Sequence, residues 1–281
     1  MNKEQEAFDK RFDTETKEII ALTQDGAGAG KAGKASLWDA HMKLLAYIDV
    51  CTDTLVQEHS SLTWQLTDEE CRTNEKIYNL ERERIYRLRV RESLPFTGFT
   101  GEPVRRGWNL MVLEVLERDC REGRLEELLI QYQKPVTIHP AGCGELLLDK
   151  SLGSFDGTCQ WNGEECLVHL DVDEEGAETA EDALRTLEIL FAQSEEWDRQ
   201  ARELAASELT DNANDWQDDS GEDAPEITKE DFAGRLSISE LCISTDGEFE
   251  IYYNDDDMFW GHVIIVSGNL EEGLDDATMA G

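Results

Sequence analysis

The sequence predicts an α+β protein, in which a mainly helical N-terminal region precedes an antiparallel β-sheet domain covered on one face by a long helix. Three observations predict it. Apolar residues recur at three- and four-residue spacing through residues 36–55, strict alternation flanks an Asn-Gly pair at 162–163, and a helical stripe at 180–209 separates two groups of alternating segments. With 281 residues, 40% of them apolar, the chain can bury two ordinary cores, and the reading divides it at Pro135.

In the first domain, residues 1–135, Asn2 to Leu22 is a polar, amphipathic opening segment. The Gly-Ala-Lys tract from Gly26 to Ala35 reads as a flexible linker, because its glycines impose no backbone preference. Ser36 then caps a predicted helix whose buried face is Leu37, Trp38, His41, Leu44, Leu45, Ile48, Cys51 and Leu55. Thr67-Asp-Glu-Glu70 has the capping-box pattern and opens a second segment carrying Ile77, Leu80, Ile85 and Leu88. From Tyr86 to Arg91 the apolar residues alternate strictly with arginines, so a strand is the alternative there. Gly98 to Pro103 is a turn region, Trp108 to Leu116 is apolar enough for a buried helix, and Leu125 to Tyr132 continues it.

In the second domain, residues 136–281, Phe155, Gly157, Cys159 and Trp161 share one face, and Cys166, Val168, Leu170 and Val172 share another beyond Asn162-Gly163. This is the pattern of a hairpin closed by a type I′ turn. Leu236 to Ser244, the turn Asp246-Gly247 and Glu248 to Tyr253 form a second hairpin, and Val263 to Val266 reads as a fully buried strand. Between them, Ala180, Ala183, Leu184, Leu187, Leu190, Phe191, Trp197, Ala201, Leu204, Ala205 and Leu209 keep the helical period, interrupted at Gln193-Ser194. The stretch is one bent helix or two. Residues 211–226, acidic and almost without apolar groups, read as a mobile loop.

Several stretches of this second domain carry a resemblance. Leu148 to Gly153 followed by Phe155 to Gly163, Glu195-Glu-Trp197, Ile227 to Phe232, Asp246 to Tyr253, Asp257 to His262 and Ala280-Gly281 resemble the bacterial domain of unknown function 2262 family over about residues 142–281. The resemblance implies a domain boundary and a bacterial origin. It implies no activity, cofactor or catalytic residue.

Charge narrows the partners. Residues 1–135 hold 20 Lys+Arg against 25 Asp+Glu, whereas residues 136–281 hold 6 against 38, for nets of −5 and −32. Such a field repels nucleic acid and anionic membrane and attracts a basic protein. The arginines Arg82, Arg84, Arg87, Arg89, Arg91, Arg105 and Arg106 form the sole basic cluster and are expected to pair with carboxylates of the same chain or of a second copy. Seven cysteines without a C-x-x-C pair suit free thiols in a reducing cytoplasm, and no apolar run is long enough for a membrane span or a signal sequence.

Candidate chemistry concentrates at Asp255, Asp256, Asp257, Phe259, Trp260 and His262, the single grouping of acids, imidazole and aromatics. Oxygen clusters suit hard cations, and an imidazole beside them suits general-base catalysis. The plainer reading is a solvated turn with the aromatics packed beneath, holding no metal and no cofactor. Gly28 to Lys34 has the glycine spacing of a phosphate loop, but Ala35 stands where a Ser or Thr is required and no strand precedes it. The expected function is a non-catalytic acidic protein-binding module, including an immunity-type inhibitor of a basic toxin domain. The alternative is a metal-dependent enzyme using the Asp255–His262 segment.

Overall fold

The computed structural model describes residues 3–72, 78–98, 101–220 and 225–281. The chain divides into two compact units, Met1–Lys134 and Pro135–Gly281. Strands occupy 41% of the chain against 25% for helices, so the mainly helical N-terminal region that the sequence predicts is wrong, and the protein is mostly β from its first unit onward.

The first unit runs α1 (Lys3–Asp9), β1 (Lys17–Thr23), β2 (Gly28–Gly30), β3 (Trp38–Asp49), β4 (Thr54–Val56), β5 (Ser60–Leu66), α2 (Asp68–Arg72), β6 (Ile85–Glu92), β7 (Phe96–Thr97), β8 (Pro103–Val104), β9 (Asn109–Arg118) and α3 (Gly123–Tyr132). Strands β1, β6, β9, β5 and β3 pair in that order, and β3 pairs back to β1, closing a five-stranded barrel. Only the β5–β9 pair within it is parallel. Numbered among themselves the barrel strands run 1-2-3-5-4 with 3 and 5 parallel, the topology of an OB-fold barrel.

Both misread helices are barrel strands, for one physical reason. Residues 38–49 are so rich in apolar groups that they satisfy a period of 3.6 and a period of 2 at once, and pairing with β1 and β5 decides between them. Ala40, Met42 and Leu44 share one buried cluster with Tyr47, and a bulge after Leu44 turns Ala46 and Ile48 into a second with Leu22 and Leu125, whereas His41, assigned to the buried helical face, is exposed. Likewise Leu110 and Val112 of β9 face the barrel core, while Met111, on the opposite face, is buried against Phe8 and Phe12. The capping box does form, with Thr67 N and Oγ1 both donating to Glu70, yet its helix lasts five residues; Ile77 lies outside the described residues, as do Phe99 and Thr100 of the predicted turn. The Gly-rich tract is no free linker either, since β2 pairs with β3. The alternating arginines lie on β6, where Arg87 pairs with Glu18, Arg89 with Glu114 and Arg91 with Asp9; Arg105 pairs with Glu58 and Arg106 with Glu92.

The second unit runs β10 (Thr137–Ile138), β11 (Leu146–Asp149), β12 (Ser154–Trp161), β13 (Glu164–Asp171), α4 (Glu181–Ala192), α5 (Ser194–Ser220), α6 (Lys229–Arg235), β14 (Ser237–Ile243), β15 (Glu248–Asn254), β16 (Val263–Asn269) and β17 (Gly273–Ala280). All eight strands form one sheet in sequence order. Every pair is antiparallel except β13–β14, which is parallel, so the sheet is not purely antiparallel as predicted. The Asn162-Gly163 turn has φ of 49° and 88°, the left-handed values that a type I′ turn requires and that Asn and Gly tolerate. Phe155, Cys159, Trp161, Cys166, Val168 and Leu170 are all buried on one face.

Helix α4 lies on β13 and β14, and α5 on β16 and β17. One carboxylate pins α5 to the sheet: Asp198 accepts hydrogen bonds from Trp161 Nε1 at 3.3 Å, Tyr253 Oη at 2.9 Å and Arg202 Nε at 2.7 Å. Burial, and then the Asp198 charge, push the Tyr253 hydroxyl up, so it stays a donor. The mobile loop expected from residue 211 is helix to residue 220, where Ala213 is buried and Asn214 exchanges two hydrogen bonds with the backbone of Ile227. Residues 221–224 of that expected loop lie outside the described residues. The strand at Val263 to Val266 alternates rather than being buried on both faces.

Candidate functional site

The link between β15 and β16 is built around one buried carboxylate. Asp255 is 3% exposed and accepts from the amides of Phe259 at 2.6 Å, Asp257 at 3.2 Å and Gly261 at 3.3 Å. These bonds wind residues 255–262 into a double turn, in which Asp256, Asp257, Trp260 and Gly261 all take positive φ. Short polar side chains tolerate that region; a tryptophan there, at φ 58°, is strained by about 1–2 kcal/mol. The turn therefore sustains strain in order to place an aromatic ring.

The six candidate residues separate accordingly. Asp255 and Phe259 are interior, and Met258 joins them. The solvated role expected of all three aspartates fails for Asp255. Asp256 is exposed but bound by Arg235 of α6, whose Nε reaches its carboxylate at 2.8 Å and whose second nitrogen reaches its carbonyl at 2.7 Å. Asp257 is exposed, and Trp260 is 64% exposed, the second most exposed of the large apolar side chains among the described residues. His262 is half-buried, its Nδ1 2.5 Å from the Phe259 carbonyl, which fixes Nδ1 as the protonated nitrogen.

Sequence reasoning missed the residue that unites them. Trp216, near the end of α5, stands edge-on to Phe259 (5.6 Å) and to His262 (5.2 Å) and tilts against Trp260 (4.8 Å). The available signal was its isolation: a lone tryptophan amid acids has to pack on something. Beside this aromatic group, Gln217, Ile227, Glu230, Asp231 and Arg235 line an open depression of about 580 Å³.

The sheet face away from the helices carries a second grouping that no local pattern reveals. Asp156, His169, Cys242 and Glu250 stand in one cross-strand row, and Leu167, Glu240 and Tyr252 in the next. His169 Nδ1 lies 2.8 Å from Asp156 and Nε2 3.4 Å from Glu240, while the Cys242 thiol donates to Glu240 at 3.1 Å. Burial, then Glu240, push the Cys242 thiol up; the hydrogen bond to Glu250, then burial, push the Tyr252 hydroxyl up. A cysteine beside a histidine suggests nucleophilic catalysis, but here the carboxylate opposes the thiolate that such chemistry needs. The row is an acceptor-rich, anionic surface.

Charge in this unit is scarcely neutralised from within. Of its six cations, Lys150, Arg185, Arg199, Arg202 and Arg235 each pair with a carboxylate of the same unit, and Lys229 donates to Ser207. These six cations stand against 38 carboxylates in the sequence of the unit. Among the described residues, no helix is long and apolar enough to cross a membrane.

Residues 4–132 match a family model described as a domain of unknown function, DUF7021. No curated protein matches the sequence. Residues 142–279 match the model described as an uncharacterized protein conserved in bacteria, DUF2262, and the C-terminal half of the chain belongs to that family.

Proposed function

We propose that the chain is a non-catalytic, cytoplasmic binding protein whose C-terminal unit docks a basic protein partner, in its sharpest form as an immunity-type inhibitor of a basic toxin domain. The observation that carries this reading is Trp260: 64% exposed, held in a left-handed conformation by the Asp255 turn, and backed by Trp216 within a unit of net charge −32. Tryptophans in such settings supply much of the energy at protein interfaces, and a strong field of one sign supplies fast encounter. The metal-dependent alternative meets a geometric obstacle. Asp255 is committed to three amides, Asp256 to Arg235 and His262 Nδ1 to a carbonyl.

The test uses basic proteins encoded beside the gene, purified and offered to the full chain by surface plasmon resonance. Association should slow more than tenfold between roughly 50 and 500 mM NaCl while dissociation changes little, and Trp260→Ala should weaken binding about tenfold or more without changing the unfolding midpoint. Binding that ignores both salt and Trp260→Ala would overturn the reading.

A further inference from the structure

Beneath the helices, three of the seven cysteines stand side by side. Cys159 on β12 is in direct register with Cys166 on β13, and their sulfurs are 3.3 Å apart. On its other side Cys159 forms an antiparallel backbone bridge with Cys143, in the segment before β11, which sets the two residues directly opposite each other. The three thiols thus form one row across three chain segments, with Cys159 in the centre. Cys159 and Cys166 are buried, at 1% and 3% exposure, whereas Cys143 is only partly covered. Access is graded along the row.

We propose that Cys143, Cys159 and Cys166 form an oxidisable disulfide site that takes a hydroperoxide as its oxidant, with Cys143 reacting first and Cys159 closing the bond. The geometry meets the demands of that chemistry. Residues directly opposite on antiparallel strands have Cα separations of about 4.5–5.5 Å, inside the range a disulfide spans. Bringing the Cys159 and Cys166 sulfurs from 3.3 Å to the bonded distance of about 2.05 Å needs side-chain rotation alone.

Atoms and electrons balance at each step. The Cys143 thiolate attacks one peroxide oxygen; the O–O bond breaks, the alkoxide or hydroxide leaves and takes up the proton the thiol had lost, and Cys143 becomes a sulfenic acid. Cys159 then attacks the Cys143 sulfur, the S–O bond breaks, and hydroxide departs as water with the Cys159 proton. Two thiols are oxidised by two electrons, and one hydroperoxide is reduced to alcohol or water plus water. Cys166 can next attack Cys159, transferring the bond to the 159–166 pair and freeing Cys143, with no net redox change.

The acid–base pattern accords with this order. Hydrogen bonding from Cys159 draws the Cys143 thiol down against the opposing effect of burial, and it draws Cys166 down likewise. Hydrogen bonding with Cys143 and Cys166, and then burial, push the Cys159 thiol up.

The experiment treats the reduced full-length protein with one equivalent of hydrogen peroxide, blocks remaining thiols with iodoacetamide under denaturing conditions and maps peptides by mass spectrometry. The expected result is a 143–159 or 159–166 crosslink in the monomer, reversed by dithiothreitol, with Cys51, Cys71, Cys120 and Cys242 still alkylated. Cys143→Ser should slow crosslinking about tenfold or more, because the remaining pair is buried, and Cys166→Ser should leave only the 143–159 bond. Alkylation of all three thiols after treatment, oxidation confined to exposed Cys51, sulfinic acid at Cys143 without a crosslink, or undiminished rate in Cys143→Ser would each overturn the proposal. The wild-type map decides the matter even where a variant fails to fold.

Discussion

Replacing Asp255 with alanine isolates what one buried carboxylate does for an exposed tryptophan. Its three acceptor bonds are not equally costly to lose. The amides of Asp257 and Gly261 belong to exposed residues and regain water, whereas the Phe259 amide, bonded at 2.6 Å, belongs to a fully buried residue. The net contribution of a hydrogen bond to a charged group is about 1.5–3 kcal/mol, and a buried amide left without a partner costs about 1–3 kcal/mol more. Asp255→Ala should therefore cost about 4 kcal/mol, and in a unit of about 150 residues this lowers Tm by roughly 8–16 °C. The neighbouring Asp257, exposed and in the same turn, gives the control: Asp257→Asn should change stability by no more than about 0.5 kcal/mol. Urea unfolding monitored by tryptophan fluorescence reports both. Equal midpoints for Asp255→Ala and Asp257→Asn would refute the role assigned to the carboxylate, and with it the argument that Trp260 is held rather than merely loose.

Gly157→Ala should destabilise the second unit by about 1–3 kcal/mol, because a Cβ there would come within 2.8 Å of the Glu145 carbonyl oxygen; a denaturation midpoint matching the wild type would contradict it. Burial alone would raise Glu92, yet the hydrogen bonds from Lys17 and Arg106 outweigh it and hold its carboxyl below the usual value of 4.5. The stability it contributes is thus complete above about pH 4.5 and is lost as pH falls through the folded value, so Glu92→Gln should flatten the acid limb of a stability profile measured between pH 6 and 3. Cys242, although partly exposed, should react with iodoacetamide at pH 8 more slowly than exposed Cys51, and Glu240→Gln should speed it; equal rates for Cys242 and Cys51 would count against the carboxylate's influence.

How much the sequence revealed depends on how local each signal is. The β12–β13 hairpin was legible because Asn162-Gly163 and two alternating runs specify turn, register and buried face within eighteen residues. Strand β3 was misread because Trp38 to Asp49 carries enough apolar residues to serve either period, and the partners that decide lie elsewhere in the chain. Strand β17, Gly273 to Ala280, offered too few apolar residues to register at all, since its pairing with β16 is largely a matter of backbone. At the candidate site, the sequence located the right segment and the burial of Phe259, but it placed Trp260 beneath the turn as well, where the structure has it 64% exposed. It missed that Asp255 points inward and that Trp216 arrives from α5, because neither the winding of a loop nor the reach of a distant helix is written in spacing. The Asp156–His169–Cys242 row depends on the parallel β13–β14 register, which brings together residues far apart in the chain.

That same parallel pair constrains the order in which the sheet can assemble. Strands β10–β13 and β14–β17 are two meanders, each joined by short turns, so each can zip up through contacts between near neighbours in the chain. Joining Leu167 to Glu240 instead closes a loop of roughly 70 residues, and its entropic cost is offset only once α4 and α5 have docked on the strands they cover. The eight-stranded sheet should thus arise by late fusion of two early halves. Since His169 and Cys242 face each other across that seam, the acidic row exists only after the fusion is complete.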